Sequence, residues 1–256
     1  MKSHSITTVN IQPYRILAGL LLATISLCIA NQAVAQSDVA SEYFPLDAGN
    51  YWTFQFDNRP EGTTDTTTVL PGTAQVAGVP TKVLQYEGGS IEYYTSDAEG
   101  IKLHQYQAGF DPVTRLDPPA VIANSTINIP EAILSEGLIV FEGLDINAYE
   151  AFYDTHTEVL DLETVTVPFG TFEAVKVKFT FEISAFIYNT TQNIDVLTES
   201  TYWFVHQLGP VKQHIRRERD FVEDLNTTGV LVDTNIEPPI VEEPKVFLPF
   251  LPLLLE

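Results

Sequence analysis

The side chains able to do chemistry are few in kind. Four of the five His lie in the body of the chain, His104, His156, His206 and His214. A metal centre needs several such ligands to converge. Asp154 and His156 would share one strand face, but no HxH or HExxH pair supports them, so no metal site is expected. Asp220, Glu223, Asp224 and Asn226 lack the alternating acids of an EF-hand and read as a solvated turn. No GxSxG elbow, Walker A loop or SxxK pair occurs. No catalytic residue is assigned and no cofactor is expected. Carboxylate pairs for hydrolysis stay open, because 34 acidic residues offer them in any number.

Two groups fit a ligand better. Tyr51-Trp52, Tyr93-Tyr94 and Tyr202-Trp203 are adjacent aromatics on predicted strands. Strand neighbours point to opposite faces, so one of each pair packs the core and the other faces away. A curled sheet would then carry an aromatic groove for a lipid or peptide, with Tyr94 and Trp203 as candidates. Ordinary cross-strand packing is the alternative. The second group is basic: Lys212, Arg216, Arg217 and Arg219 lie close together in an acidic chain. Lys212, His214 and Arg216 share a strand face. They read either as an anion or headgroup site, or as partners of Glu218, Asp220 or a cross-strand Glu.

The elements that must position these residues are strands. From Phe172 to Ile183, Val175, Val177, Phe179, Phe181 and Ile183 alternate with Lys176, Lys178, Thr180 and Glu182. Trp52, Phe54 and Phe56 alternate likewise. Gly88-Gly89 predicts a hairpin, and Pro71-Gly72, Glu99-Gly100, Pro168-Phe169-Gly170 and Leu208-Gly209-Pro210 are further breaks. One short helix is expected, with Pro130 opening Glu131-Ala132-Ile133-Leu134 and Gly137 closing it. The fold class is all-β and mainly antiparallel, as a curved sheet or open barrel. Lys82-Val83-Leu84, Glu92-Tyr93-Tyr94 and Gly100–His104 resemble Lys176-Val177-Lys178, Thr201-Tyr202-Trp203 and Gly209–His214. This pattern fits an internal duplication with halves 44–117 and 144–236, joined by a Pro-rich connector.

Charge and targeting narrow the function classes. Lys+Arg number 13 against 34 Asp+Glu, a net charge of −21. Such a chain repels phosphate backbones, so nucleic acid is excluded as a partner. Lys2 and Arg15 precede an apolar run from Ile16 to Ala30, and Ala33-Val34-Ala35 follows. This reads as a signal peptide over 1–35, cleaved between Ala35 and Gln36. An uncleaved anchor and a lipoprotein signal at Cys28 are the alternatives. Cys28 is the only Cys, so the exported chain would carry no disulfide.

Phe44-Pro45-Leu46-Asp47-Ala48-Gly49-Asn50-Tyr51-Trp52 resembles the PLxxGNxW opening of many secreted bacterial proteins. Val167–Val177 is similar to their VPxGTFxxxKV hairpin, and Tyr202–Lys212 to their YWxxxxxGxVK element. That family is largely uncharacterised, and the resemblance brings no catalytic residues. It implies a curved antiparallel sheet or an open barrel.

The β-rich domain is expected over 36–236. Residues 237–256 then form a Pro/Glu linker and an apolar tail, Val246 to Leu255, too short to span a bilayer. The tail fits a segment folded onto the sheet or a sorting peptide. The leading reading is an exported, periplasmic, cell-surface or extracellular protein with a non-catalytic binding or surface-assembly role. Its partner would be an unidentified protein or an apolar ligand, and the mature chain would have no transmembrane span. The rivals are a carrier of a lipid-like ligand in a curved sheet and a carboxylate-dependent hydrolase.

Overall fold

The period of two becomes strand almost everywhere. A computed structural model describes residues 39–109 and 112–238. The signal segment, the Ala35-Gln36 cleavage site and the apolar tail from residue 239 onward lie outside the described residues. The strands are β1 Tyr51–Phe56, β2 Thr64–Val69, β3 Ala74–Val76, β4 Val79–Tyr86, β5 Ile91–Asp97 and β6 Gly100–Gln107. There follow β7 Thr114–Ala123, β8 Glu131–Phe141, β9 Tyr149–Val167, β10 Gly170–Ile187, β11 Gln192–Val205, β12 Gly209–Arg219 and β13 Val222–Thr234. Every pairing is antiparallel. β1 pairs with both β2 and β13, and β2 also pairs with β4. Twelve strands therefore close a ring, with β3 attached outside it to β4. Closure leaves no open sheet edge on the ring.

The expected helix is a strand instead. Glu131–Phe141 is β8, pairing with β7 and β9. A single helical turn cannot recover its nucleation cost, whereas two strand partners satisfy this backbone on both sides. Gly137 does not stop a helix. A Cβ there would lie 2.6 Å from the Asp117 carbonyl oxygen, so the residue admits a close approach of β7. Among the described residues, helical structure is limited to the 3₁₀ turns Ala40–Glu42 and Ile146–Ala148.

Directly paired residues share a face, and following them round the ring separates inside from outside. Val177 pairs with Tyr202, Tyr202 with Gln213, Gln213 with Gly229 and Gly229 with Phe56. In the other direction Val177 pairs with Val159, and the face continues through Thr157, Tyr153, Ile139, Leu116 and Leu103 to Tyr94. This inner face holds the buried Trp52, Phe54, Leu84, Leu103, Leu116 and Tyr153. Val177, Phe179 and Phe181 lie on it as the alternation predicts, and Lys178 and Thr180 face outward.

The outer face is charged. Glu136, Asp154 and Glu182 are direct cross-strand partners, and Glu182 continues through Leu197 to Glu218 and Glu223. Leu134, Leu138 and Phe152 are exposed on the same face beside these acids. No helix among the described residues is long and apolar enough to cross a membrane.

One bulge re-aims a whole hairpin tip. Lys176 pairs with Asp161 and Val177 with Val159, which leaves Leu160 as the extra residue. Before it the buried residues of β9 point inward. Beyond it Val165 and Val167 are buried on the opposite face, and Phe169 N donates to Leu231 O at 3.2 Å. The tip thus folds onto the end of the ring. There Val165, Val167 and Ala174 join Leu46, Trp52, Leu208, Val211 and Leu231 in the largest buried cluster.

The β11–β12 turn supplies the other half of this plug. Trp52, 1% exposed, donates its indole N–H to Leu208 O at 2.7 Å. Gly209 has φ +93°, and a Cβ on it would lie 2.7 Å from Trp52 Nε1. Only glycine fits both demands. The N-terminal segment closes the same end. Glu42 O accepts from Gln207 N, and Phe44 packs on Trp52, Tyr94 and Phe204 with ring centroids 5.5–6.1 Å apart. The three motifs that resemble the secreted family thus all converge here.

The two similar triplets are β4-β5-β6 and β10-β11-β12, six strands apart on opposite sides of the ring. The aligned residues face differently. Leu84 points inward where Lys178 points outward, and Tyr94 inward where Trp203 points outward.

Candidate functional site

The inner wall beside the plug carries a carboxylate among tyrosines. Glu92 on β5 pairs with Leu84 on β4 and Tyr106 on β6, so it faces inward. Tyr86 and Tyr94 lie two residues along from Leu84 and Glu92 and share that face. Tyr86 donates its hydroxyl to Glu92 Oε2 at 2.5 Å, and Tyr94 donates to the same oxygen at 2.9 Å. Tyr202 enters from β11, diametrically opposite in the ring, and interacts electrostatically with Glu92, Tyr86 and Tyr94. Two opposite walls therefore approach each other here.

The inward rings meet in places, as Tyr106 and Phe181 do with centroids 5.8 Å apart, but they keep part of their surface accessible. Phe56, Tyr86, Tyr94, Tyr106, Phe179, Phe181 and Tyr202 all face inward, yet each is only half-buried, as is Glu92. At the plugged end the inward residues Trp52, Phe54, Leu84 and Leu208 are buried outright. Inward rings that keep accessible surface are the candidate walls of a cleft.

Electrostatics follow from this position. Burial raises the Glu92 carboxyl above its usual 4.5, and the two tyrosine hydrogen bonds only partly oppose it. Burial and then the Glu92 charge push Tyr94 and Tyr86 well above 10. Tyr202 is pushed up to about 12 by burial, with the Glu92 charge adding to it.

The residues singled out in the sequence divide between the two faces. Tyr94 lies in the cleft. Trp203 does not: it shares the outer face with Lys212, His214 and Arg216, and its neighbour Tyr202 is the inward member of the pair. Trp203 is nonetheless buried, because Lys212 Nζ lies 4.5 Å and Lys176 Nζ 5.3 Å from its ring centre. Its indole N–H donates to Glu163, which is 3.6 Å from Lys176 Nζ.

The arginines of the basic stripe are engaged with acids, while Lys212 lies over the Trp203 ring. Arg216 meets Glu199 at 2.8 Å, Glu223 at 2.9 Å and Glu218. Lys178 reaches the other Glu199 oxygen at 3.0 Å. These hydrogen bonds, from Lys178 first, hold Glu199 below its usual 4.5. His214 Nδ1 lies 3.2 Å from Thr228 Oγ1. Of the other histidines, His104 is buried against Thr95 and His206 lies 2.8 Å from Glu42.

A separate depression of about 430 Å³ lies on the outer face, with Leu134, Glu136, Asp154, His156, Thr180 and Glu182 along it. It is open, and its polar groups are mostly of one sign with no convergent partner. The inner cleft differs in bringing hydroxyls and a carboxylate together inside an aromatic wall.

Glu92, Tyr86 and Tyr202 were missed from sequence. A signal existed for Glu92. The Gly88-Gly89 hairpin sets a carboxylate on the same strand face as Tyr94, opposite apolar Leu84.

Neither a known protein family nor a curated protein matches the chain. Two solved structures are similar to it. One is a lipoprotein candidate from Parabacteroides distasonis, 12% identical, covering 78% of this chain and 100% of that one, with a TM-score of 0.32. The other is an exported-protein candidate with a YmcC-like fold from Bacteroides fragilis, 12% identical, covering 78% and 99%, with a TM-score of 0.29. Similarity at that level bears on neither role nor ligand.

Proposed function

We propose that this is an exported, non-catalytic binding protein that holds a small, largely apolar ligand in the cleft between its two opposed walls. The observation that carries the reading is the set of inward-facing aromatic rings left half-buried around Glu92. Apolar surface kept accessible inside a closed ring costs free energy unless something covers it. The apolar run before Ala33-Val34-Ala35 supports export, and the three secreted-family motifs agree with it. The charged outer face supports a particle that moves in water.

Native mass spectrometry of the protein purified from its own host tests this. The expected result is a mass excess of a few hundred daltons, as for one small ligand, lost on denaturation. Bare-chain mass in every charge state, together with no uptake of medium-chain alcohols, would overturn it.

A further inference from the structure

We propose that the cleft selects a ligand whose polar head is a cation, a protonated amine or a quaternary ammonium, with Glu92 as counter-ion and Tyr86, Tyr94 and Tyr202 as the wall around it. This rests on the reading of the cleft as a ligand site and adds the chemistry of the head group.

Three features of the geometry lead there. Both tyrosine hydroxyls converge on Oε2 of Glu92, at 2.5 and 2.9 Å, which fixes the carboxylate and leaves Oε1 without a hydrogen bond from any described residue. No described Lys, Arg or His forms an ion pair with Glu92, although the outer-face Glu199 has two such partners. An ionised carboxylate inside a protein is costly until a counter-charge meets it, so an incoming cation recovers what the empty cleft lacks. The walls are mainly aromatic, with Lys82 beside Tyr94 on the same face but in no ion pair with Glu92, and the faces of tyrosine rings attract cations. An anionic head would meet the Glu92 charge instead. An uncharged head would gain one hydrogen bond and no ion pair.

Three eight-carbon probes separate the cases with the chain length held constant: octylammonium, octanol and octanoate. Each is titrated by calorimetry into the exported full-length protein near pH 8, where octylammonium is protonated and octanoate is ionised. Octylammonium is expected to bind at least about tenfold more tightly than octanol, and octanoate weakest. Glu92→Gln keeps an acceptor for both tyrosines. It should bring octylammonium to within about twofold of octanol, both measured on the variant. Tyr202→Leu, which does not touch the carboxylate, should also shrink the preference and carries the test if Glu92→Gln folds poorly. Equal binding of octylammonium and octanol, or a preference that survives in both variants, overturns the cation while the ligand site stands. If neither octanol nor octylammonium binds, the ligand site falls as well.

Discussion

The plugged end and the inner cleft are built from the same kinds of residue and differ in completeness. At the plug, Trp52, Leu208, Val211 and Leu231 are buried and the one polar hydrogen, the Trp52 indole N–H, has its acceptor. In the cleft, tyrosines and phenylalanines on the same inner face stay half-buried around a carboxylate with no cationic partner among the described residues. All three motifs place residues in the plug, and one of them also supplies Tyr202 to the opposite wall.

The sharpest way to break this comparison is to empty the plug. Trp52→Ala should cost about 3–5 kcal/mol in denaturant unfolding, as for other fully buried rings. A much smaller loss would mean that the plug is no better packed than the cleft. Gly209→Ala should cost about 1–3 kcal/mol, because a methyl group would be driven into the Trp52 ring at a positive φ. In the cleft, Glu92→Ala strands two tyrosine hydroxyls and should cost about 1–3 kcal/mol, with Glu92→Gln well below that.

The pH dependence distinguishes the two faces with opposite signs. The folded-state pKa of Glu92 is raised above 4.5, so its contribution is complete below 4.5 and is lost as pH rises towards the folded value. Relative to wild type, Glu92→Gln should therefore gain stability as pH rises above 4.5. Glu199 is held below 4.5 by Lys178 and Arg216, so its contribution is present above 4.5 and is lost as pH falls. Glu199→Gln should remove part of the acid-side loss, a smaller effect because this pair is solvent-screened. Melting curves across acid to neutral pH check both signs. The smallest effect is expected at Thr180→Ala on the outer face, within about 0.5 kcal/mol.

The strand character of this protein was legible because period two survives in nearly every element. The Gly88-Gly89 hairpin and the Phe172–Ile183 faces follow from it directly. Closure was not legible, because the β1–β13 and β2–β4 pairings depend on distant partners that no local pattern encodes. Bulges hid the rest. Leu160 shifts the parity of β9 by one, so a reading correct at Tyr153 is inverted at Val165. The same uncertainty placed Trp203 in the groove: alternation says that Tyr202 and Trp203 face opposite ways, and only the register with Val177 shows which is inside. Glu131–Leu134 read as helix because Pro130 and Gly137 are helix punctuation, but both also suit an irregular strand.

Glu92 has no ion pair among the described residues, and its own titration tests the proposed cation site most directly. In the exported protein with ¹³C-labelled glutamate carboxyls, one resonance should titrate above 4.5, vanish in Glu92→Gln, and move to lower pH when octylammonium is added but not when octanol is added. If no glutamate titrates above 4.5, or if the Glu92 resonance ignores octylammonium at saturation, the cation site is contradicted.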